Sequence, residues 1–315
     1  MRALIPLLAL TLPASAQDRL ALAFPVECTL GETCMIQQLM DHDPGPGVQD
    51  FLCGPMSYDG HQGTDIRLPD HEALAEGVAI LAAADGTVRG TRNSVPDTGS
   101  GGYPEGQECG NGVVIDHADG WQTQYCHLAQ GSVSVSTGDS ISTGERIGEM
   151  GFSGNTVFPH LHLTVRHNGV VIDPFAPFAG DTCGGTTTPL WSHDVPLAQG
   201  GILSIGFAAG VPDYDAVQAG TADAPALSRL SDAIVIWDFF HGARAGDIVI
   251  AEILSPDGST LHSQEITLER TQAQVFRASG LRRTAPLMLG TYTGRISLRR
   301  DGILLDTETT TVPVD

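Results

Sequence analysis

Apolar residues in the middle of this chain come in short runs, several alternating with polar positions, and glycine turns separate them. Between residues 61 and 178 these runs include VAILAAADGTV, GNGVVIDHADGWQTQYCHL, RIGEMGFSGN and HLHLTVRHNGVVIDP. Period-two alternation places successive side chains on opposite faces of a strand. Such runs therefore predict strands joined by tight turns, with ADG and HNG as turn signals. Helical periodicity does not compete over this span. Residues 181–197, rich in Gly, Thr and Pro, read as a linker. Beyond them the pattern resumes as GILSIGFAAG, AIVIWDFF, DIVIAEIL, QVFRASG and GTYTGRISLRRDGILLDTETTTV. The expected fold is all-β, an antiparallel sheet unit followed by a second β unit.

Short strands at regular spacing, with SPDG and RRDG turns, make the second unit, residues 198–315, a candidate β-sandwich of the immunoglobulin or fibronectin type III kind. In its VIWDFF run, Trp237, Phe239 and Phe240 read as core. At the other end, MRALIPLLALTLPASAQ combines one early charge at Arg2 with an apolar stretch too short to span a bilayer and an Ala-Ser-Ala ending at Ala16. Residues 1–16 are expected to be a secretory signal peptide, and no later run is long enough to span a membrane. Residues 25–60 are rich in Cys, Gly, Pro and Asp, and residues 17–54 are expected to be a loop-heavy segment pinned by disulfides. Residues 55–180 hold the first series of strands.

Six cysteines, at 28, 34, 53, 109, 126 and 183, form an even set, and in an exported chain they favour disulfides over free thiols. Cys109 and Cys126 flank one predicted hairpin and are the favoured pair. A two-residue turn at Asp119-Gly120 sets Cys126 opposite Val113, so this pairing requires the chain before Gly110 to fold back. All sixteen basic residues are arginine, which excludes Schiff-base chemistry and a P-loop lysine. The formal charge of -21 argues against nucleic acid or an anionic membrane as the main partner.

In FPHLHLTV, His160 and His162 lie two apart and so project from one face of a strand. An isolated pair of this kind is more often solvated than functional. Upstream, GHQGTD sets His61 and Asp65 four apart around Gly63, in a loop able to turn a nitrogen and a carboxylate oxygen toward one point. Catalytic zinc commonly takes three protein ligands and leaves a fourth position open. His61, Asp65 and one histidine of the pair would complete such a set. YCHL supplies His127 from another predicted strand.

Together, His61-Gln62-Gly63-Thr64-Asp65, Tyr125-Cys126-His127-Leu128 and Pro159-His160-Leu161-His162 resemble the motifs of the M23, or LytM-type, zinc metalloendopeptidases. The surrounding phrases AAADGTV, GNGVVIDH, GFSGN and NGVVIDP are similar as well, and the resemblance covers roughly residues 55–178. It implies an antiparallel LytM-type catalytic domain with one Zn2+ held by His61, Asp65 and His162, and His127 and His160 as the unmetallated catalytic pair. It implies further a metal-activated water as nucleophile and bacterial peptidoglycan as substrate, reached in the periplasm or after secretion. The family often has a small residue or glycine before Pro-His. Phe158 stands there instead and is expected to narrow the cleft. Cys126 precedes His127, and strand alternation is expected to turn its sulfur from the metal face.

Other candidates are weaker. His117 in IDHADG reads as a solvated turn residue, and His42 with Asp41 and Asp43 as a polar turn, because the spacing matches no calcium loop. Ser153 lacks the Gly-x-Ser-x-Gly elbow of serine hydrolases. Two further functions are compatible with the family: a non-catalytic regulator or wall-binding module, and a secreted protease acting on Gly-containing protein substrates.

Overall fold

The computed structural model describes residues 19–185 and 187–315; the expected signal peptide lies outside them. The chain is nearly all β and antiparallel, as its alternation predicts. In the first part run β1 (Met35–Gln38), β2 (Thr64–Arg67), β3 (Ala79–Leu81), β4 (Gly86–Arg92), β5 (Asn111–Asp116), β6 (Trp121–Leu128), β7 (Ser140–Ile141), β8 (Arg146–Glu149), β9 (His160–His167) and β10 (Val170–Ile172). The main sheet has the order β1-β2-β9-β6-β5-β4-β7, with β10 against β9, and β3 pairs with β8 apart from it. Ile66, Val113, Tyr125, Leu161 and Leu163 alternate inward and fill the core on one face. The opposite face of β2, β6 and β9 carries the polar residues that matter below.

Within residues 17–54, β1 pairs with β2 and becomes an edge of this sheet. Disulfides join Cys28 to Cys34, Cys53 to Cys183 and Cys109 to Cys126. The β5–β6 connection departs from the expected two-residue turn. Asp119 (φ 54°) and Gly120 (φ 78°) both adopt left-handed conformations in a three-residue turn, Ala118–Gly120. The register moves by one, so Tyr125, not Cys126, faces Val113.

The second part holds β11 (Gly201–Ala208), β12 (Ala233–Ala243), β13 (Ile248–Leu254), β14 (Thr260–Thr267), β15 (Gln272–Arg282), β16 (Gly290–Arg300) and β17 (Ile303–Val314). They form two sheets, β11-β12-β15 and β14-β13-β16-β17. Phe207, Ile234, Ile236 and Phe240 of the first meet Val249, Ile253, Ile296 and Leu298 of the second in one core. Trp237 and Phe239 do not belong to that core. They alternate onto the other face of β12 and pack with Leu203, Val217 and Met35, the last from the first sheet. The two parts are therefore joined by an apolar seam. Among the described residues no helix is long and apolar enough to cross a membrane.

Candidate metal centre

β9 and β2 pair in a register that sets His162 opposite Asp65 and His160 opposite Arg67. Directly paired residues share a face, so all four side chains stand on the polar side, while Leu161 and Leu163 anchor the strand in the core. His61 reaches the same point from the turn before β2. Gly63 makes this approach possible: a methyl group there would lie 2.6 Å from His162 Nε2 and 2.7 Å from the Leu163 carbonyl oxygen.

Three ligand-type atoms converge. Asp65 Oδ1 lies 3.1 Å from His61 Nε2 and 2.8 Å from His162 Nδ1, and the two nitrogens are 3.2 Å apart. Ligands about 2.0–2.1 Å from a tetrahedral zinc are separated by about 3.3 Å, so the triangle fits a single small ion. The second contacts of the rings agree. His61 Nδ1–H donates to the Leu39 carbonyl at 2.7 Å, which leaves Nε2 with its lone pair. His162 Nε2 lies 3.1 Å from the Thr164 hydroxyl, which frees Nδ1. Asp65 is fully buried. Burial alone would raise its carboxyl pKa, but without a metal the neighbouring imidazoles of His61, His160 and His162, when they carry protons toward it, hold it well below the usual range.

His127 and His160 stand beside this triangle, their rings 4.6 Å apart. His160 Nδ1–H donates to the Phe158 carbonyl at 3.0 Å, and His127 Nδ1–H to the Ser153 carbonyl at 2.8 Å. Each therefore presents an unprotonated Nε2, and His160 Nε2 lies 3.5 Å from Asp65 Oδ1. Burial, followed by the like charges of His160 and His162, pushes the His127 pKa down to about 3. Burial also lowers that of His160. Both rings are neutral at neutral pH.

The expected role of alternation at Cys126 does not hold. Cys126 pairs with His162 and so shares its face, and simple alternation would send His127 into the core. Instead β6 spends three steps, Tyr125 to Leu128, against two on β5, Val113 to Asn111. This bulge coincides with a left-handed His127, φ 66°, which carries its ring to the polar face and returns Leu128 to the core. Cys126 is unavailable as a ligand because its sulfur is bonded to Cys109.

Two residues here, Tyr58 and Arg67, were not singled out from sequence. Ser153 is no nucleophile. It is fully buried, accepts from the Asn111 amide at 2.8 Å and donates to the Leu128 carbonyl at 2.7 Å, fixing the loop that orients His127. The Tyr58 ring lies 4.5 Å from that of His61. Arg67 was legible in principle, since it sits two residues after Asp65 on the same strand face. Phe158 packs 4.4 Å from the His160 ring and lines the cleft. Elsewhere, His117 is not a free turn residue: its nitrogens bond the Asp85 carbonyl and the Thr123 hydroxyl. His42 is not a polar turn either, being buried and paired with Asp173 at 2.8 Å.

An antiparallel sheet that gathers His, Asp and His at one point beside two neutral imidazoles defines a candidate metal-dependent hydrolase site. Residues 59–174 match the model of Peptidase family M23, and this part of the chain belongs to that family. It is 36% identical over 108 residues to the peptidoglycan DD-endopeptidase ShyA of Vibrio cholerae, covering 34% of this chain and 20% of that protein. It is 32% identical over 117 residues to the cell division protein DipM of Caulobacter vibrioides, covering 37% of this chain and 16% of that one. The match thus spans a quarter or less of these relatives' length. Among solved structures, the catalytic domain of the prophage-encoded M23 protein EnpA from Enterococcus faecalis aligns with 46% of this chain and 88% of its own, at 26% identity and a TM-score of 0.30.

Proposed function

We propose that the protein is an exported zinc metalloendopeptidase that hydrolyses peptide bonds in bacterial peptidoglycan. The observation that carries this reading is the convergence of His61, Asp65 and His162 within hydrogen-bonding distance of one another, beside His127 and His160. Residues 55–180 serve as the catalytic unit, with 17–54 and 198–315 flanking it. The pairing of all six cysteines supports a periplasmic or secreted location.

In this reading His61 Nε2, Asp65 Oδ1 and His162 Nδ1 hold the ion. Bound there, zinc supplies an acidified water and Lewis acidity toward the scissile carbonyl. The protein's own groups do the rest. His127 and His160, both neutral, offer Nε2 to the proton released by the attacking water and return it to the departing amine. Once protonated, either ring can donate to the oxyanion that forms on the carbonyl. The carbonyls of Ser153 and Phe158 fix both rings in the tautomer that this requires.

The test is the purified protein with its zinc content and its products from cross-linked muropeptides measured together. Wild type is expected to hold about one zinc per chain and to release products whose masses identify the bond cut. His162→Ala should lose both zinc and turnover. His160→Ala should keep zinc and lose about 10²- to 10⁴-fold in rate. Full turnover by His162→Ala would exclude the ligand assignment, and stoichiometric binding to sacculi without products would favour a non-catalytic wall-binding role.

A further inference from the structure

The cleft that exposes His127 and His160 is not built by the first sheet alone. It is a cavity of about 310 Å³, and one of its walls consists of Ala273 and Gln274, the second and third residues of β15 in the second unit. The wall is held in place. The guanidinium of buried Arg67 lies over the Phe158 ring at 4.9 Å and the Phe239 ring at 5.4 Å, one from each unit. Its Nη1 donates to Gln274 Oε1 at 3.1 Å and also to Gln37 Oε1. Met35, Trp237 and Phe239 pack in the same seam. Gly220 lets the two units touch where a methyl group would lie 2.8 Å from Glu72 Cβ.

Arg67 also decides which end of each amide is free. A guanidinium only donates, so both glutamine oxygens are engaged and both NH2 groups remain as donors. Met35 pairs with Arg67, so alternation sets Gln37 on the Arg67 face of β1; the bulge between Ile36 and Gln38 brings Gln38 to that face as well, and both line the cavity with Gln274. Gln37 Nε2 is buried and has no hydrogen-bond partner. An unpartnered buried donor beside a cavity of reactive groups is complete only when an acceptor arrives.

We infer that the second unit forms part of the substrate site, with the Gln274 amide donating to a main-chain carbonyl of the bound peptide and Ala273 leaving room for that chain. The inference rests on the peptidase reading for the nature of its ligand. It makes the second unit a direct determinant of substrate binding, beyond any part it plays as an appendage to the catalytic sheet.

Three variants of the full-length, zinc-loaded protein test this: Gln274→Ala, Gln274→Glu and Ala273→Trp. The readouts are KM and kcat on a cross-linked muropeptide, the Kd of a disaccharide tetrapeptide, zinc content and Tm. Gln274→Glu keeps an oxygen for Arg67 but loses the NH2 donor. It should therefore raise KM and Kd about five- to tenfold, as Gln274→Ala does, with kcat within about twofold and the seam intact. Ala273→Trp should fill the cleft and lower kcat/KM by about tenfold or more at unchanged zinc content. Wild-type KM and Kd in Gln274→Glu would reduce Gln274 to a joint between the units, and an indifferent Ala273→Trp would remove the wall from the site; either result overturns the inference. A wild type that binds the tetrapeptide, with variants weakened as expected, but cleaves nothing would sink the endopeptidase reading alone.

Discussion

At the scale of single residues, the site turns on how close its parts can come. Gly63 separates His61 from Asp65 and lies beneath His162, where a Cβ would meet Nε2 at 2.6 Å and the Leu163 oxygen at 2.7 Å. Gly63→Ala must therefore push β2 from β9 or turn the His162 ring. Zinc affinity is expected to fall about 10- to 100-fold, the range typical of displaced outer-shell support, with a smaller loss of Tm. A competitive zinc titration measures it, and wild-type affinity in Gly63→Ala would show that His162 has room to spare. The identities of these residues were readable in the chain, because His-x-Gly-x-Asp and His-x-His are local patterns. Their second contacts were not, since His61, His127 and His160 donate to the carbonyl oxygens of Leu39, Ser153 and Phe158, to which side-chain identity gives no clue.

At the scale of elements, alternation predicted the strands well and failed where the chemistry sits. It placed His160 and His162 on one face and Leu161 and Leu163 on the other, as found. It misassigned Cys126 and His127, because a bulge with a left-handed histidine breaks the two-residue period, and such a conformation is strained for any residue with a Cβ. The Cys109–Cys126 disulfide helps to hold this bulge: the His127 amide donates to the Cys109 carbonyl at 2.8 Å, one residue from the bonded sulfur of Cys126. The double variant Cys109→Ser, Cys126→Ser opens a loop with a sequence separation of 17. It should cost about 3 kcal/mol by the chain-entropy estimate. His61, Asp65 and His162 lie on other elements, so zinc should be retained while kcat falls through the loosened His127. Calorimetry, zinc analysis and turnover separate these effects, and loss of zinc with an unchanged kcat per bound metal would contradict them.

At the scale of the whole molecule, two β units were legible from turn spacing, but their docking was not. Trp237 and Phe239 look like any buried strand aromatics, and only the three-dimensional structure shows them against Met35 and the Arg67 guanidinium. The seam carries an electrostatic consequence. His241 is fully buried on β12, and burial first, then the charges of Arg67 and Arg300, push its pKa from 6.5 down to about 3. Above pH 6.5 the ring is neutral in both folded and unfolded chains and adds no pH dependence. As the pH falls from 6.5 toward about 3, the unfolded chain takes up a proton that the folded one refuses, so stability declines. The slope from one such group approaches about 1.4 kcal/mol per pH unit. His127, held at about 3 by burial, acts in the same direction. His241→Leu removes one of these protons while preserving an apolar filler of similar size. On metal-free protein, its Tm relative to wild type should therefore rise steadily as the pH is lowered from 7 to 4. A constant offset across that range would mean that His241 takes up its proton at the same pH in the folded and unfolded chains, so that neither burial nor the two guanidiniums act on it.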